Sequence, residues 1–192
     1  MNVKSVKTCV MFVLFTLTIY GSKATIVKAS EIKFSNQQEF ENWVIINDTV
    51  MGGKSRASLL LQDDMLLFAG KLSLLNNGGF ASTRRDNATV EWLTAQRISI
   101  ALIGDGRSYQ FRLRTNKVFD GVAYVTNFDT KAGELINIEF ETNDFVAQYR
   151  GRLVSNAPPL NLADVSQIGF MLADNIPGEF QLRIKSIEST TK

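Results

Sequence analysis

Apolar and polar residues alternate with a period of two through much of the chain after residue 30. Ile98, Ile100 and Leu102 alternate with Ser99 and Ala101, and Tyr109, Phe111 and Leu113 with Gln110, Arg112 and Arg114. Ile136, Ile138 and Phe140 alternate with Asn137 and Glu139, and Phe180, Leu182 and Ile184 with Gln181, Arg183 and Lys185. Successive side chains of a strand point to opposite faces, so each run predicts a half-buried antiparallel strand. The step from Ile184 to Ile187 breaks the phase and predicts a bulge or a strand end. Turn formers separate the runs: Gln62-Asp63-Asp64, Asn76-Asn77-Gly78-Gly79, Gly104-Asp105-Gly106, Asp120-Gly121, Ala132-Gly133, Pro158-Pro159 and Pro177-Gly178. Only residues 35–43 read as helical, for one or two turns, with Ser35 as cap and Gln38 at the capping-box position. Many short strands with almost no helix predict one all-β domain over residues 31–189, an antiparallel β-sandwich.

The start of the chain reads differently. Lys4 and Lys7 precede an uncharged apolar run over residues 8–20, and Gly21-Ser22-Lys23-Ala24 follows with small residues at the −3 and −1 positions. The run is too short to span a bilayer, which takes about 20 apolar residues, and it suits the h-region of a secretory signal. Residues 1–24 are therefore expected to be a cleaved leader, with Val27-Lys28-Ala29 as a later cleavage option. The protein is then exported, to a periplasmic or extracellular site. The segment lacks the arginines of a mitochondrial transit peptide.

Removing the leader changes the charge. It holds Lys4, Lys7 and Lys23 and no acid, so 18 of the 21 basic residues remain against 19 acidic ones. Near neutrality leaves no basic stripe for phosphate backbones, and nucleic acid is not an expected partner. The sole cysteine, Cys9, lies inside the leader, and the chain has no histidine. The mature domain thus lacks a thiol nucleophile, Ser-His and Cys-His catalysis and imidazole-ligated metal. No cofactor, no metal and no catalytic residue is expected. Without a disulfide, stability must come from a core, and about 160 residues can bury roughly 70% of the unfolded surface.

Glycine corners carry the most information. After the apolar stretch Trp43-Val44-Ile45-Ile46 come Asn47, Asp48, Thr49, Val50, Met51, Gly52, Gly53, Lys54 and Ser55. Asp48 is expected to cap backbone N–H groups of the glycine turn, an Asx role whose loss would destabilise by ~1–2 kcal/mol. Its alternative, with Asn47 and Ser55, is to ligate a ligand hydroxyl or a hard cation. Gly53-Lys54-Ser55 matches the end of a phosphate-binding loop, but Asp48 stands where the pattern needs glycine and no helix follows, so no nucleotide is expected. Gly104-Asp105-Gly106 fails as a dinucleotide loop because Tyr109 replaces its third glycine. Arg84, Arg107, Arg150 and Arg152 could converge on a carboxylate-bearing partner, with Arg150-Gly151-Arg152 the best case because glycine allows close approach. Asp63, Asp64, Asp105 and Asp174 could offer oxygen ligands, though no acidic run has calcium-loop spacing. Trp43, Phe80, Tyr109 and Phe170 read as core rather than as a sugar-stacking platform. Asn47-Asp48-Thr49 and Asn87-Ala88-Thr89 match the glycosylation sequon.

These motifs together resemble the complex I intermediate-associated protein 30 family. The resemblance rests on Trp43, the run Asn47 to Ser55 with Met51-Gly52-Gly53, Phe68-Ala69-Gly70, and Gly78-Gly79-Phe80-Ala81-Ser82 followed by Arg84. It continues through Gly104-Asp105-Gly106-Arg107-Ser108-Tyr109, Tyr124, Phe145, Arg150-Gly151-Arg152, Ile168-Gly169-Phe170-Met171-Leu172-Ala173-Asp174 and Gly178-Glu179-Phe180. The family implies a galactose-binding-domain-like jelly roll and a non-catalytic assembly role with a protein partner, in its best-known member the assembly of a membrane complex. An exported carbohydrate-binding module, with a glycan as ligand, is the alternative. A glycosidase would need two carboxylates about 5–10 Å apart in a cleft, and Glu134, Glu139 and Asp144 give no sign of one.

Overall fold

The computed structural model describes residues 30–35, 37–85, 96–115 and 121–190. The leader of residues 1–24, the Asn87 sequon and Asp120 lie outside the described residues. The chain enters through β1 (Ser30–Lys33), the short helix α1 (Gln37–Glu41) and β2 (Trp43–Asn47). There follow β3 (Arg56–Gln62), β4 (Met65–Leu72), β5 (Ala81–Arg85), β6 (Arg97–Ile103), β7 (Ser108–Arg114) and β8 (Ala123–Asp129). The last are β9 (Leu135–Glu141), β10 (Val146–Tyr149), β11 (Arg152–Leu153), β12 (Gln167–Leu172) and β13 (Gly178–Thr190).

These strands form two antiparallel sheets. A six-stranded sheet runs β3-β4-β13-β6-β9, with β1 paired to the far half of β13. A seven-stranded sheet runs β11-β10-β8-β7-β12-β5-β2. The alternation read in the sequence sets which side chains fill the space between them. Leu66, Phe68, Leu182, Ile184, Ile98, Ile100 and Leu102 point in from one sheet, and Phe111, Leu113, Ile168 and Phe170 from the other. Aromatic rings join the layers: Phe111 meets Phe140 across the core at 5.6 Å and Phe170 on the next strand at 5.3 Å. Such pairs add to the burial that drives the sheets together.

The broken phase near Ile184 is a bulge, because the β13–β6 register shifts between Ile184 and Ser186 and returns Ile187 to the core side. The Gln62-Asp63-Asp64 turn is a tight hairpin with both aspartates at positive φ, 52° and 55°. The helix is as short as read, and the proposed Ser35 cap adjoins residue 36, outside the described residues. It is tied down by Glu39, which accepts from Trp43 Nε1 at 3.1 Å and from Arg85 Nε and Nη2 at 2.7 and 2.9 Å. Trp43, Tyr109 and Phe170 are buried as expected. Phe80 differs: it is half-buried on the turn before β5, where its backbone is held by Asp48 rather than its ring by the core.

Candidate functional site

Loops 48–55, 73–80, 104–107, 130–134 and 173–177 gather at one end of the sandwich. The registers require it: Asn47 and Leu172 both pair with Ala81, Leu72 pairs with Gly178, and Ser108 pairs with Asp129. Most of the glycine-rich motifs of the sequence therefore meet at this end.

Asp48 organises the first half of the end. Its carboxylate is fully buried and accepts four hydrogen bonds. Oδ1 takes the Ser55 N–H at 2.9 Å; Oδ2 takes the Ser55 hydroxyl at 2.6 Å and the N–H groups of Gly79 at 2.7 Å and Phe80 at 3.4 Å. Ser55 Oγ in turn accepts from Ser73 N–H at 3.0 Å. Burial by itself would raise the Asp48 carboxyl, but the Ser55 and Gly79 donors outweigh it and hold the group below the ordinary carboxylate range. The cap thus holds the Ser55 N–H at the end of the Gly52-Gly53 turn and extends to the second glycine corner, while the Gly53 N–H is met by the Asp48 backbone carbonyl at 3.0 Å. The alternative role as a ligand for a hydroxyl or cation does not fit this geometry, since the carboxylate is fully buried and already accepts four hydrogen bonds from the protein. Asn47 ends β2 half-buried, paired with the buried Ala81 and with its Oδ1 buried, and Ser55 is fully buried.

Glycine is needed here for two different reasons. Gly52 closes a single 3-10 turn at φ 89°, in the left-handed region. Gly53 and Gly78 instead make room: a Cβ on either would come within 2.3 or 2.5 Å of the Asp48 side chain. Lys54 is exposed, and Ser55 leads directly into β3, so the loop has no phosphate-binding geometry.

The second half is organised by Arg107. Its Nε and Nη2 donate to Asp174 Oδ2 at 2.9 Å and Oδ1 at 2.6 Å, a bidentate pair with side chains 11% and 9% exposed. The remaining donors reach the carbonyls of Glu179, at 3.1 Å, and Ile176. Asp174 raises Arg107 above the usual guanidinium range; in return Asp174 is held below the ordinary carboxylate range, against the effect of its own burial, by Arg107 and the Ile176 N–H. Asp105 Oδ2 accepts from the Tyr109 hydroxyl at 3.0 Å and from Gln181 N–H at 2.8 Å. Burial, followed by the Asp105 charge, pushes the Tyr109 phenol far up. Gly106, at φ 91°, lets the β6–β7 turn fold back so that its N–H reaches Thr130 Oγ1 at 3.0 Å. Arg107 and Asp105 are therefore internal ties, not free ligand groups.

Around these ties stand exposed apolar side chains: Val50 (66%), Met51 (65%), Leu75 (67%) and Ile176 (60%), with Leu74 beside them. Val50 and Met51 share the 3-10 turn that starts at Asp48. Leu75 lies on a second such turn, anchored to the first by Asn76 Nδ2 donating to Gly52 O at 3.2 Å. Sequence reasoning missed this collar, because a loop leucine carries no periodic signal; only the mixing of apolar residues into glycine corners could have revealed it.

The four arginines expected to converge are dispersed. Arg107 is at the motif end, and Arg84 is on the outward face of β5, beside the edge strand β2. Arg150 and Arg152 flank the β10–β11 hairpin, with the Arg150 guanidinium 5.4 Å from the Tyr149 ring centre. Gly151 serves that turn through its φ of 77°; nothing lies within 4 Å of where a Cβ would be, so no close approach explains it. Arg84 instead has Arg112 and Arg114 as companions, two residues the alternation had marked as ordinary polar positions. The aspartates also separate, with Asp63 and Asp64 at the far end from Asp105 and Asp174. Among the described residues no three Asp, Glu, His or Cys side chains are grouped to hold a metal ion. Asp144 is engaged in accepting from Glu141 N–H at 2.7 Å, and Glu134 meets Lys131 at 3.4 Å. A cleft of about 460 Å³ opens beside β10, lined by Tyr124, Phe145, Val146, Leu153, Pro158 and Leu160; none of the expected binding residues lines it.

The two stacked antiparallel sheets define a jelly-roll β-sandwich of the galactose-binding-domain-like class. Among solved structures the chain is similar to the family 11 carbohydrate-binding module of Clostridium thermocellum, in complex with a β-1,3-1,4-mixed-linked tetrasaccharide. That match has a TM-score of 0.60 at 18% identity and covers 84% of this chain and 95% of the module. An agarase structure matches with a TM-score of 0.52 at 12% identity, over 84% of this chain and 25% of the enzyme. These likenesses carry the fold. The family described as complex I intermediate-associated protein 30 (CIA30) matches residues 32–184, and the chain belongs to that family. A relative from Caenorhabditis briggsae, named probable complex I intermediate-associated protein 30, mitochondrial, is 28% identical over 178 residues, covering 82% of this chain and 52% of the relative. The Mus musculus protein of the same family name is 24% identical over 179 residues, covering 81% and 54%. The chain thus spans about half the length of the curated relatives it matches.

Proposed function

We propose that this domain is a non-catalytic protein-interaction module of assembly-factor type, which docks a protein partner through the apolar collar of its motif end. The observation that carries the reading is the collar itself. Val50, Met51 and Leu75 are each about two-thirds exposed on turns fixed by a buried carboxylate. Fully burying such a side chain contributes roughly 1.5–3 kcal/mol. Clustered exposed apolar residues mark interaction sites, and a few central anchors supply most of an interface's energy. Because the turns are already ordered, little conformational freedom is lost on docking. The names of the relatives support a subunit of a membrane complex as the partner's class.

The test compares wild type with Met51→Asp/Leu75→Asp in crosslinked pull-downs, followed by titration of the recovered partner. Wild type is expected to capture a defined protein. The double variant should bind it at least ~10-fold more weakly while melting within about 2 °C of wild type, as surface substitutions do. Equal affinity of the two proteins would remove the collar from the interface.

A glycan ligand is the alternative, supported by the likeness to carbohydrate-binding modules. Sugar rings characteristically stack on solvent-facing aromatic rings. Among the described residues one strand ring is solvent-facing, Tyr149 at 40% exposed, and it lies at the β10–β11 hairpin with the Arg150 guanidinium 5.4 Å from its ring centre; no second exposed ring pairs with it, which favours the protein partner. We also infer, from the basic start and the apolar run of residues 8–20, that the protein is exported and cleaved. An intact mass lacking residues 1–24 or 1–29 in the exported fraction is the expected result, and a full-length cytosolic product would overturn it.

A further inference from the structure

One row across the outward face of the six-stranded sheet is apolar. The register places Leu60 of β3 beside Leu67 of β4, Leu67 beside Arg183 of β13, Arg183 beside Ile103 of β6, and Ile103 beside Leu135 of β9. These five side chains point away from the core, because their chain neighbours Leu59, Leu66, Leu182, Leu102 and Ile136 point into it. The row is exposed at both ends, Leu60 at 54% and Leu135 at 49%, and half-buried between them. The face is open, since the flanking Ser58, Gln62, Gln181, Lys185 and Asn137 are all exposed. With strands about 4.8 Å apart, four steps carry the row roughly 19 Å. A sheet face left to water carries polar residues, as Arg56, Ser58 and Gln62 do along β3 itself. Four aliphatic side chains in register across such a face mark contact with another molecule.

Arg183, in the middle of the row, decides what kind of molecule fits. Among the described residues it makes no hydrogen bond or ion pair; its Nε is buried without an acceptor, while its terminal nitrogens reach solvent. The carboxylates around the face are engaged elsewhere. Asp105 accepts from the Tyr109 hydroxyl and the Gln181 N–H, Glu134 meets Lys131, and Glu179 and Glu139 face Lys71 and Arg97. Asp63 and Asp64 stand beyond the row, on the β3–β4 turn. Covering the row would strand the Arg183 charge unless the covering molecule brought a carboxylate, which a guanidinium grips through parallel hydrogen bonds. A second copy of the chain, packed on this face about a twofold axis through its centre, would set Arg183 against Arg183, and like charge disfavours it. One apolar side chain per strand, about 4.8 Å apart, matches one per turn of an α-helix at about 5.4 Å better than the alternate residues of an extended segment at about 6.7 Å.

We propose that this face is a second docking surface, on which a protein partner lays an amphipathic helix across the strands. The helix sets apolar side chains on Leu60, Leu67, Ile103 and Leu135 and a central carboxylate on Arg183. A helix on a sheet is an ordinary layer of protein architecture, and apolar anchors around one arginine are the usual centre of an interface. The row shares no residue with the collar. The two readings therefore fail separately, because the face is tested with a peptide and without the collar's partner.

The experiment titrates the full chain with a fluorescein-labelled helical hexadecapeptide of alanine and glutamine, read by anisotropy. The peptide carries leucine, leucine, glutamate, leucine and leucine at alternating four- and three-residue spacings, and a control replaces the glutamate by glutamine. The glutamate peptide should bind at least ~10-fold more tightly than the control, by a margin that shrinks as salt rises. Arg183→Gln should erase that margin. Leu60→Asp/Leu135→Asp, at exposed positions, should melt within about 2 °C of wild type and weaken both peptides at least ~10-fold. If Arg183→Gln does not fold, Arg183→Lys, which keeps the charge but not the fork, should narrow the margin. Met51→Asp/Leu75→Asp should leave every titration unchanged. Equal affinity of wild type for both peptides, or unchanged binding by Leu60→Asp/Leu135→Asp, would overturn the surface. Binding to phosphatidylglycerol vesicles in place of the peptide, lost in Leu60→Asp/Leu135→Asp, would transfer the face to a membrane. A dimer in sedimentation that the same variant dissolves would transfer it to a second copy, and either result sinks the helix.

Discussion

Asp48→Ala is expected to lower stability by ~3–5 kcal/mol, more than the ~1–2 kcal/mol that a single lost cap predicts. The difference comes from the number of donors. Removing the carboxylate strands the N–H groups of Ser55, Gly79 and Phe80, each at about 1–3 kcal/mol if it stays unmet, while the Ser55 hydroxyl can still donate to Ser73 O at 3.2 Å. Some relaxation brings the sum down to the stated range. For a domain of this size the melting temperature should fall by about 8–16 °C. Asp48→Asn should be intermediate, because its amide keeps one acceptor but turns an NH2 toward the other donors. The acid dependence follows in sign. The folded Asp48 carboxyl lies below its unfolded value of about 3.9, so its contribution is complete above that pH and is lost as the pH falls through the folded value. The gap in urea stability between wild type and Asp48→Asn should therefore be constant near neutrality and close below about pH 4. A gap unchanged at pH 3, or a melt within 2 °C for Asp48→Ala, would contradict the hydrogen-bond arrangement.

Arg107→Met should be comparably severe, at ~3–5 kcal/mol, because it leaves Asp174 buried without its bidentate partner. The Ile176 N–H, at 3.1 Å, still supports the carboxylate and limits the damage. Arg107→Lys keeps the charge but not the fork, and it also loses contacts to the Glu179 and Ile176 carbonyls, so partial rescue is expected. The decisive comparison is Arg107→Met/Asp174→Leu. If the stranded charge dominates, the double variant is more stable than Arg107→Met alone, a coupling that an additive pair would not show. Chemical denaturation with unchanged m-values is the measurement.

How much of this was legible depended on where water touches each strand. β6, β7, β9 and β13 show alternation because one face is core and the other carries Ser, Gln, Asn, Glu or Lys. β8 and β12 escaped notice as alternating strands since both of their faces are largely buried, so Ala123-Tyr124-Val125 and Ile168-Gly169-Phe170 have no polar partner positions. The same burial hid Arg112, which in sequence looks like any solvent-facing residue of a half-wet strand. Asp48 was readable as a capping residue, because Asx beside glycine has a local meaning. Its true partners Gly79 and Phe80 lie 31 and 32 residues on, and no local rule reaches that far. Arg107 and Asp174, 67 residues apart, were each visible but not as a pair.

One turn carries both an inward and an outward assignment. Asp48 looks into the domain from the same 3-10 turn on which Val50 and Met51 look out. Architecture and contact chemistry are thereby uncoupled within four consecutive residues. Replacing the outer pair changes which surfaces the molecule can recognise while the frame persists. A family with such a turn can diverge in its choice of companion without first having to reinvent its scaffold.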